Sequence, residues 1–133
     1  MAICDSASLP VAVSVASASP HEVTLVSSLL AERFTVSIPE RLVGDRAYDS
    51  DPLDRILRAR GIELIAPHRS NRVRPKTQDG RPLRRYRHRW KAERLNAWLQ
   101  NYRRVATRYE YKSENFLGFV HLACMCILFK NYF

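Results

Sequence analysis

A strand, a short helix and a second strand follow one another within residues 40–66, and this spacing constrains the fold more than any other feature. The first strand is the apolar run in "ERLVGD", which ends at Asp45. The segment "DPLDRILRARG" predicts a helix with Asp51 as its cap and Gly61 as its stop. The run "IELIAP" predicts a second strand, which Pro67 ends. Since a helix crosses between these strands, we expect them to be parallel, which indicates an α/β protein.

Two strands and a helix precede this unit. The runs "AIC" and "PVAVSVAS" predict a hairpin around the turn "DSASLP", where we expect Asp5 to bond its own backbone. The segment "SPHEVTLVSSLLAERF" opens with Ser19 and Pro20 and has Glu22 close behind, which is typical of a capping box. It predicts a helix over about 20–33. The order of elements is then β-β-α-β-α-β.

The last third of the chain predicts a loop and two helices. Residues 68–85 form a polar, basic loop with an Asp-Gly pair at 79–80. A long helix is predicted from about Arg85 to about Arg108, and a final helix from about Ser113. Its apolar run "NFLGFVHLACMCILF" is too short to cross a bilayer comfortably, so we expect it to be buried.

The cysteines and the amino end give the expected compartment. Cys4, Cys124 and Cys126 have no metal-ligand spacing, and the pair near the carboxyl end is expected to be buried thiol. The first residues lack the charged segment and uninterrupted apolar run of a signal peptide. We therefore expect a cytoplasmic protein with reduced cysteines and no membrane partner.

Positive charge is concentrated in one segment. The chain carries a net charge of +9, and residues 69–108 hold fourteen Lys and Arg against two acids, Asp79 and Glu93. Such a concentration predicts that this loop and helix face nucleic acid, and hence that the cytoplasmic protein is nucleoid-associated. The alternative is a solvated basic surface. A membrane surface is less favoured because no compact lysine cluster lies beside a long apolar helix.

Two carboxylates lie at positions where they could bind a metal ion. Asp45 closes a strand at the end where open α/β sheets bind ligands. Glu93 lies on the predicted long helix, where the spacing of Tyr86, Arg89, Glu93 and Gln100 places all four on one face. Two such carboxylates could bind Mg²⁺, a hard ion that takes oxygen ligands. The spacing alone leaves open that Asp45 is a turn or cap residue and that Glu93 is a surface ion-pair partner.

These segments resemble one known family. The stretch beginning "LVGDRAYDS" and the later "YRHRWKAERLNAWLQ" are similar to the DDE transposases of bacterial insertion sequences, and the likeness runs from about residue 1 to 130. It implies a ribonuclease H-like domain in which three carboxylates bind two Mg²⁺ ions, with Mn²⁺ as a substitute. Such enzymes hydrolyse the 3′ ends of the element and join them to target DNA. The resemblance makes Asp45 the second carboxylate and Glu93 the third.

The resemblance also implies contacts with DNA. Tyr86 and Arg89 would contact phosphates near the cleavage point, and Gln100 replaces the lysine that ends the family pattern. Trp90 is a hypothesis for stacking on a base, with a core tryptophan as the alternative. The further arginines expected to bind DNA are Arg72, Arg85, Arg103 and Arg104.

One part of the family's catalytic domain has no counterpart in the predicted elements. A ribonuclease H-like sheet carries its first catalytic Asp on its first, central strand, whereas only two strands precede the first helix here. We therefore predict a mixed sheet with flanking helices over residues 1–133 that lacks this central strand. Asp5, in its turn, is not expected to replace the missing carboxylate. The chain alone would then be inactive and would be completed by an upstream transposase segment. The expected protein partners are that segment or further copies of the chain in a homo-oligomer.

Two other functions remain open. The chain could be a non-catalytic basic remnant that binds DNA through residues 69–108, which predicts steep salt dependence and no effect of Asp45→Asn on metal affinity. It could also be another metal-dependent nuclease of the same fold. Only the resemblance at Tyr86, Arg89 and Glu93 argues against this last interpretation.

Overall fold

The structure is a computed structural model that describes residues 1–78 and 80–132. Asp79, half of the predicted Asp-Gly turn, and Phe133 lie outside the described residues. The chain divides into two compact units. Unit 1 comprises Met1–Pro20, Ser28–Thr35 and Trp90–Phe133, and unit 2 comprises His21–Ser27 and Val36–Arg89.

The order of elements agrees with the sequence up to the second parallel strand. The strands are β1 (Ala2–Cys4), β2 (Pro10–Val13), β3 (Arg41–Val43) and β4 (Glu63–Ile65). The α-helices are α1 (Glu22–Ala31), α2 (Asp51–Ala59), α3 (Gly80–Leu83), α4 (Trp90–Gln100), α5 (Arg103–Ala106) and α6 (Ser113–Tyr132). Two 3-10 segments span Arg46–Tyr48 and Arg84–Arg89. The mixed α/β class is as predicted.

Unit 1 begins with the predicted hairpin. Strands β1 and β2 pair antiparallel, with Ala2 opposite Val13. In the turn, Asp5 Oδ1 accepts hydrogen bonds from the amides of Ala7 at 2.8 Å and Leu9 at 2.9 Å. Asp5 therefore bonds its own backbone, as predicted.

The core of unit 1 joins this hairpin to α4 and α6. Its buried side chains are Leu9, Val13, Leu95, Leu99, Val120, Ala123, Cys124 and Ile127. Helix α6 supplies four of them, and burial raises the pKa of the Cys124 thiol to about 11. Cys126, in contrast, is exposed, so only one member of this cysteine pair is the expected buried thiol.

Helix α6 is buried on one face only, which corrects the prediction that its whole apolar run lies in the core. Leu122, Met125 and Phe129 are each more than half exposed. By length and composition α6 is also long and apolar enough to cross a membrane, with 22% of that window buried. Four of its side chains belong to the apolar cluster of unit 1.

Unit 2 contains the predicted strand-helix-strand unit. Strands β3 and β4 pair in parallel, with Leu42 opposite Leu64, and α2 runs between them. The α2 cap is Ser50, whose Oγ accepts from the Leu53 amide at 3.4 Å, so the prediction of Asp51 as cap is wrong by one residue. Gly61 follows the helix with φ +76°, a backbone conformation that favours glycine, as expected for the stop.

The described strands form two separate two-stranded sheets, β1 with β2 and β3 with β4. This corrects the expectation of one mixed sheet among the described residues. The ribonuclease H-like arrangement and its missing central strand therefore stay predictions.

Two helix predictions need correction at their ends. Helix α1 begins at Glu22, where the carbonyl of His21 accepts from the Thr24 amide at 2.9 Å, so Ser19 is not its cap. The predicted single helix from Arg85 to Arg108 is divided into the 3-10 segment Arg84–Arg89, α4 and α5. The 3-10 segment has no buried residue, and its closely spaced arginines repel one another, so little favours a regular α-helix there.

Candidate DNA-binding and carboxylate site

Asp45 lies two residues after β3, in unit 2. Its Oδ1 accepts a hydrogen bond from the Ala47 amide at 2.8 Å, which caps the 3-10 turn Arg46–Tyr48. The turn is packed closely, since a Cβ on Gly44 would lie 3.0 Å from the Tyr48 ring. Asp45 is therefore a cap residue in the fold, and this role fixes one of its two carboxylate oxygens.

Tyr48 anchors the same turn from its other side. Its hydroxyl donates to Glu22 Oε2 at 3.0 Å, at the start of α1. Burial, this hydrogen bond and the negative charges of Glu22 and Asp45 raise the pKa of Tyr48 well above its ordinary value. The phenol therefore stays a hydrogen-bond donor at neutral pH.

Glu93 lies in the first turn of α4 in unit 1, where it is exposed. Asp45 and Glu93 thus belong to different units, and their predicted shared metal site stays a prediction. Over residues 1–78 and 80–132, no group of three or more His, Cys, Asp or Glu side chains could hold a metal ion. The described residues therefore do not by themselves fit the two-metal centre that the resemblance implies.

The residues before Glu93 do not share its helical face. Tyr86 and Arg89 lie in the 3-10 segment Arg84–Arg89, which corrects the prediction of one continuous face. The Arg89 guanidinium lies 5.7 Å from the centre of the Tyr86 ring. Arg85 is exposed in the same segment. Their contacts with phosphate stay predictions, as does the loss of a charged contact at Gln100.

Trp90, the first residue of α4, is 48% exposed. The Arg94 guanidinium lies 4.9 Å from the Trp90 ring centre and 5.1 Å from that of Trp98. Arg94 also donates to Ser8 Oγ and to the Ala7 carbonyl, each at 2.9 Å. This cation joins α4 to the hairpin turn of unit 1. Base stacking by the exposed part of Trp90 stays a prediction.

Arg72, one of the expected DNA contacts, is only 10% exposed. It donates from Nη1 to Asp49 at 2.9 Å and from Nη2 to Asp51 at 2.8 Å, and the Pro75 carbonyl accepts from the same guanidinium. A contact between Arg72 and DNA would require this network to open. The structure gives the side chain a role in holding the loop.

Arg103 and Arg104 are both exposed at the start of α5. Arg104 pairs with Glu110 at 2.9 Å and lies 5.3 Å from the Phe119 ring centre. Arg103 lies 6.0 Å from the ring centre of Tyr109. Both guanidinium groups are near the surface, and their predicted DNA contacts stay predictions.

Asp49 is the charged residue that sequence reasoning missed. Its side chain is 5% exposed, and its oxygens accept from His68 Nδ1, Arg72 Nη1 and the Arg69 amide. Burial opposes ionisation, but the hydrogen bonds from Arg69 and His68 and the charges of His68 and Arg72 keep the pKa of Asp49 below its ordinary value. The sequence signal that could have predicted this network was the pair of acids in "YDSD" together with the bases in "HRSNR".

Comparison with known proteins gives two curated relatives and a family. The family described as "Transposase DDE domain" matches residues 1–129. A putative transposase for insertion sequence element IS402 from Burkholderia cepacia is 37% identical over 93 residues, which cover 70% of this chain and 40% of the relative. A putative transposase for insertion sequence element IS6501 from Brucella ovis is 33% identical over 128 residues, 95% of this chain and 93% of the relative. No solved structure matches significantly.

Proposed function

Since this chain belongs to the transposase DDE-domain family, we propose that it acts in DNA transposition as part of an insertion-sequence transposase. The observation that carries the proposal is the family match over residues 1–129, which includes Asp45, Glu93 and the whole basic segment. The reaction proposed is metal-dependent cleavage at the ends of the element, followed by transfer of the cut strand to target DNA.

The exposed cations support DNA as the partner. Most of the fourteen Lys and Arg in residues 69–108 are exposed, and guanidinium groups suit phosphate because they donate two parallel hydrogen bonds. The exposed cations of this segment are Arg69, Arg74, Lys76, Arg81, Arg84, Arg85, Arg87, Arg89, Arg103, Arg104 and Arg108. Tyr86, Arg89 and Trp90 are proposed to lie nearest the cleavage point.

Asp45 and Glu93 are proposed as the second and third metal-binding carboxylates. Their oxygens suit Mg²⁺, with Mn²⁺ as the substitute. Since the described residues supply no group of three ligands, we propose that the first carboxylate comes on a strand from polypeptide outside these residues. The match covers 40% of the Burkholderia cepacia relative, which fits a longer functional protein, and 93% of the Brucella ovis relative, which does not.

The first experiment is to translate the DNA upstream of the Met1 codon in all three frames. We expect a frame that encodes a strand with an Asp, and fusing that segment to this chain should produce cleavage of element-end DNA with Mg²⁺ or Mn²⁺. In the fusion, Glu93→Gln should abolish cleavage, whereas Glu114→Gln, an exposed carboxylate in the first turn of α6, should not. Robust cleavage by the 133-residue chain alone, abolished by Glu93→Gln, would contradict the need for another segment.

A second candidate function is a non-catalytic DNA-binding remnant. The concentrated positive charge of residues 69–108, most of it exposed, is the observation that supports it. It predicts tight, steeply salt-dependent binding to duplex DNA in a fluorescence anisotropy titration, with a Mn²⁺ affinity that Asp45→Asn leaves unchanged. A fall in Mn²⁺ affinity in that variant would instead favour the transposase function.

A further inference from the structure

The side chain of Arg69 reaches the turn that Asp45 caps. Its Nε donates to the Arg46 carbonyl at 3.2 Å and its Nη2 to the Ala47 carbonyl at 2.8 Å. The Arg46 carbonyl and the Ala47 amide belong to one peptide group. That group therefore donates to the Asp45 carboxylate from its N–H and accepts from Arg69 at its oxygen.

Arg69 is itself held in place by Asp49. The Arg69 amide donates to Asp49 Oδ2 at 2.8 Å, while His68 and Arg72 donate to Oδ1 at 2.9 Å each. These contacts fix the backbone from which the Arg69 side chain extends. A continuous line of hydrogen bonds thus leads from Asp49 through Arg69 and the 46–47 peptide to the carboxylate of Asp45.

We propose that Arg69 is a positioning residue that sets the orientation of the Asp45 carboxylate, with Asp49 as its anchor. The inference rests on the proposed function, because that function makes Asp45 a metal ligand. Groups that orient a ligand in this way commonly change metal affinity or activity by about 10-fold to 100-fold when they are removed. Polarisation of the shared peptide by Arg69 also strengthens its N–H as a donor to Asp45.

The geometry separates this role from a phosphate contact. Two nitrogens of a planar guanidinium serve two carbonyls at once, whereas the ammonium of lysine is a single point charge. Arg69→Lys therefore keeps the charge that DNA would sense and loses the paired geometry. Loss of a phosphate contact should weaken DNA binding only, whereas loss of positioning should alter the Ala47 amide and the Asp45 carboxylate with no DNA present.

The test uses nuclear magnetic resonance on the 133-residue chain. Arg69→Lys and Arg69→Ala should each speed hydrogen exchange of the Ala47 amide by about fivefold or more, since one hydrogen bond on its peptide is lost. They should also shift the carboxyl carbon of Asp45. Arg74→Lys is the matched control, because Arg74 lies in the same loop and pairs with Asp51 instead.

The amides of Leu53 and Leu57 in α2 report whether unit 2 stays folded in each variant. An unchanged Ala47 exchange rate and Asp45 signal in folded Arg69→Lys would overturn the proposal. If Arg69→Ala unfolds α2, the lysine variant decides the question, because it retains the charge and the aliphatic stem.

A second readout uses the fused transposase. Arg69→Lys should lower kcat by about tenfold with little change in KM for the DNA. A raised KM with unchanged kcat would assign Arg69 to phosphate binding and overturn the positioning role. If the parent fusion cleaves no DNA, the proposed function fails, while the resonance measurement still decides whether Arg69 orients Asp45.

Discussion

Units 1 and 2 each bury apolar side chains, but within unit 2 a network of largely buried charges adds to this stabilisation. Unit 1 rests on a cluster of eight buried side chains from the hairpin, α4 and α6, with half-buried aromatic residues around it. Unit 2 also buries apolar side chains, namely Leu53 and Leu57 on α2 and Ile62, Leu64, Ile65 and Ala66 in and beside β4. Its loop after β4 is held by Asp49, Arg72 and Asp51. Apolar burial tolerates acid and salt, whereas paired charges depend on the protonation of their carboxylates.

Arginines of both units make contacts that serve the fold. In unit 1, Arg94 lies over the rings of Trp90 and Trp98 and donates to the Ala7 carbonyl, and Arg108 lies 5.7 Å from the ring centre of Phe116. In unit 2, Arg69 and Arg72 bond to carbonyls and carboxylates. A chain with a net charge of +9 therefore uses part of that charge to fold, and its total charge overstates what is available to DNA.

The largest expected effect is a cavity in the core of unit 1. Leu95 is 1% exposed, and Leu95→Ala should lower the free energy of unfolding by about 4 kcal/mol. Denaturant unfolding followed by tryptophan fluorescence measures this, since Trp90 and Trp98 both lie in unit 1. The loss should be similar at low and high salt. A strong salt dependence would mean that charge pairs, not apolar burial, dominate unit 1.

A somewhat smaller loss is expected when the network of unit 2 is broken. Asp49→Ala leaves Arg72 and His68 without their shared carboxylate in a mostly buried place, which should cost about 3 kcal/mol. Hydrogen exchange of the Leu57 amide measures the effect in unit 2. The control is Asp54→Ala, whose partner Arg58 is exposed, with an expected loss below about 1 kcal/mol. Equal losses in both variants would show that the buried network has no special weight.

Acid should weaken unit 2 by less than removal of the Asp49 side chain. Hydrogen bonds from Arg72 and Arg74 lower the pKa of Asp51, and the pKa of Asp49 is also lowered. The folded state therefore favours the ionised form of both carboxyl groups. Their contribution to the stability of unit 2 is complete above about pH 4, the pKa of an aspartate in the unfolded chain. It is lost as the pH falls through their lower pKa values in the folded protein. The protection of the Leu57 amide, taken relative to its intrinsic exchange rate at each pH, should therefore fall below about pH 4. An equal fall in protection in Asp49→Asn would remove Asp49 as a cause.

The smallest effect is expected at the aromatic-arginine stack of unit 1. Arg94→Lys keeps the charge but loses the planar contact with Trp90 and Trp98 and one or more hydrogen bonds to the hairpin turn. The free energy of unfolding should fall by about 1 kcal/mol, with a change in tryptophan emission. Arg87→Lys, in the exposed 3-10 segment, is the control. If neither the free energy of unfolding nor the tryptophan emission changes, the stability of unit 1 does not depend on this stack.

Most elements of the fold could be predicted because their signals are local. Alternating apolar residues predicted the β1–β2 hairpin, and strand-helix-strand spacing predicted the parallel pairing of β3 with β4. Both predictions are confirmed. The division of residues 84–106 into three segments was not predicted, because helical spacing of aromatic and charged side chains does not show which of them will be buried.

The candidate site was predicted in part. The motif identified Asp45 and Glu93 as carboxylates of interest, and the family match supports the motif without testing their roles. The contacts of Asp45 with the Ala47 amide and of Arg69 with the same turn came only from the structure. Sequence spacing gives no measure of such contacts, because Arg69 is more than twenty residues from the carbonyls it binds.

The sequence by itself determined the α/β class, the element order as far as β4, the concentrated positive charge and the transposase family, because each depends on local pattern or motif. Tertiary structure alone decided which charges serve the fold. Arg72 meets Asp49 across 23 positions, and Arg94 meets Ser8 across 86. Partners so far apart are chosen by the folded path of the chain, and burial then makes their pairing strong enough to remove a charge from the surface.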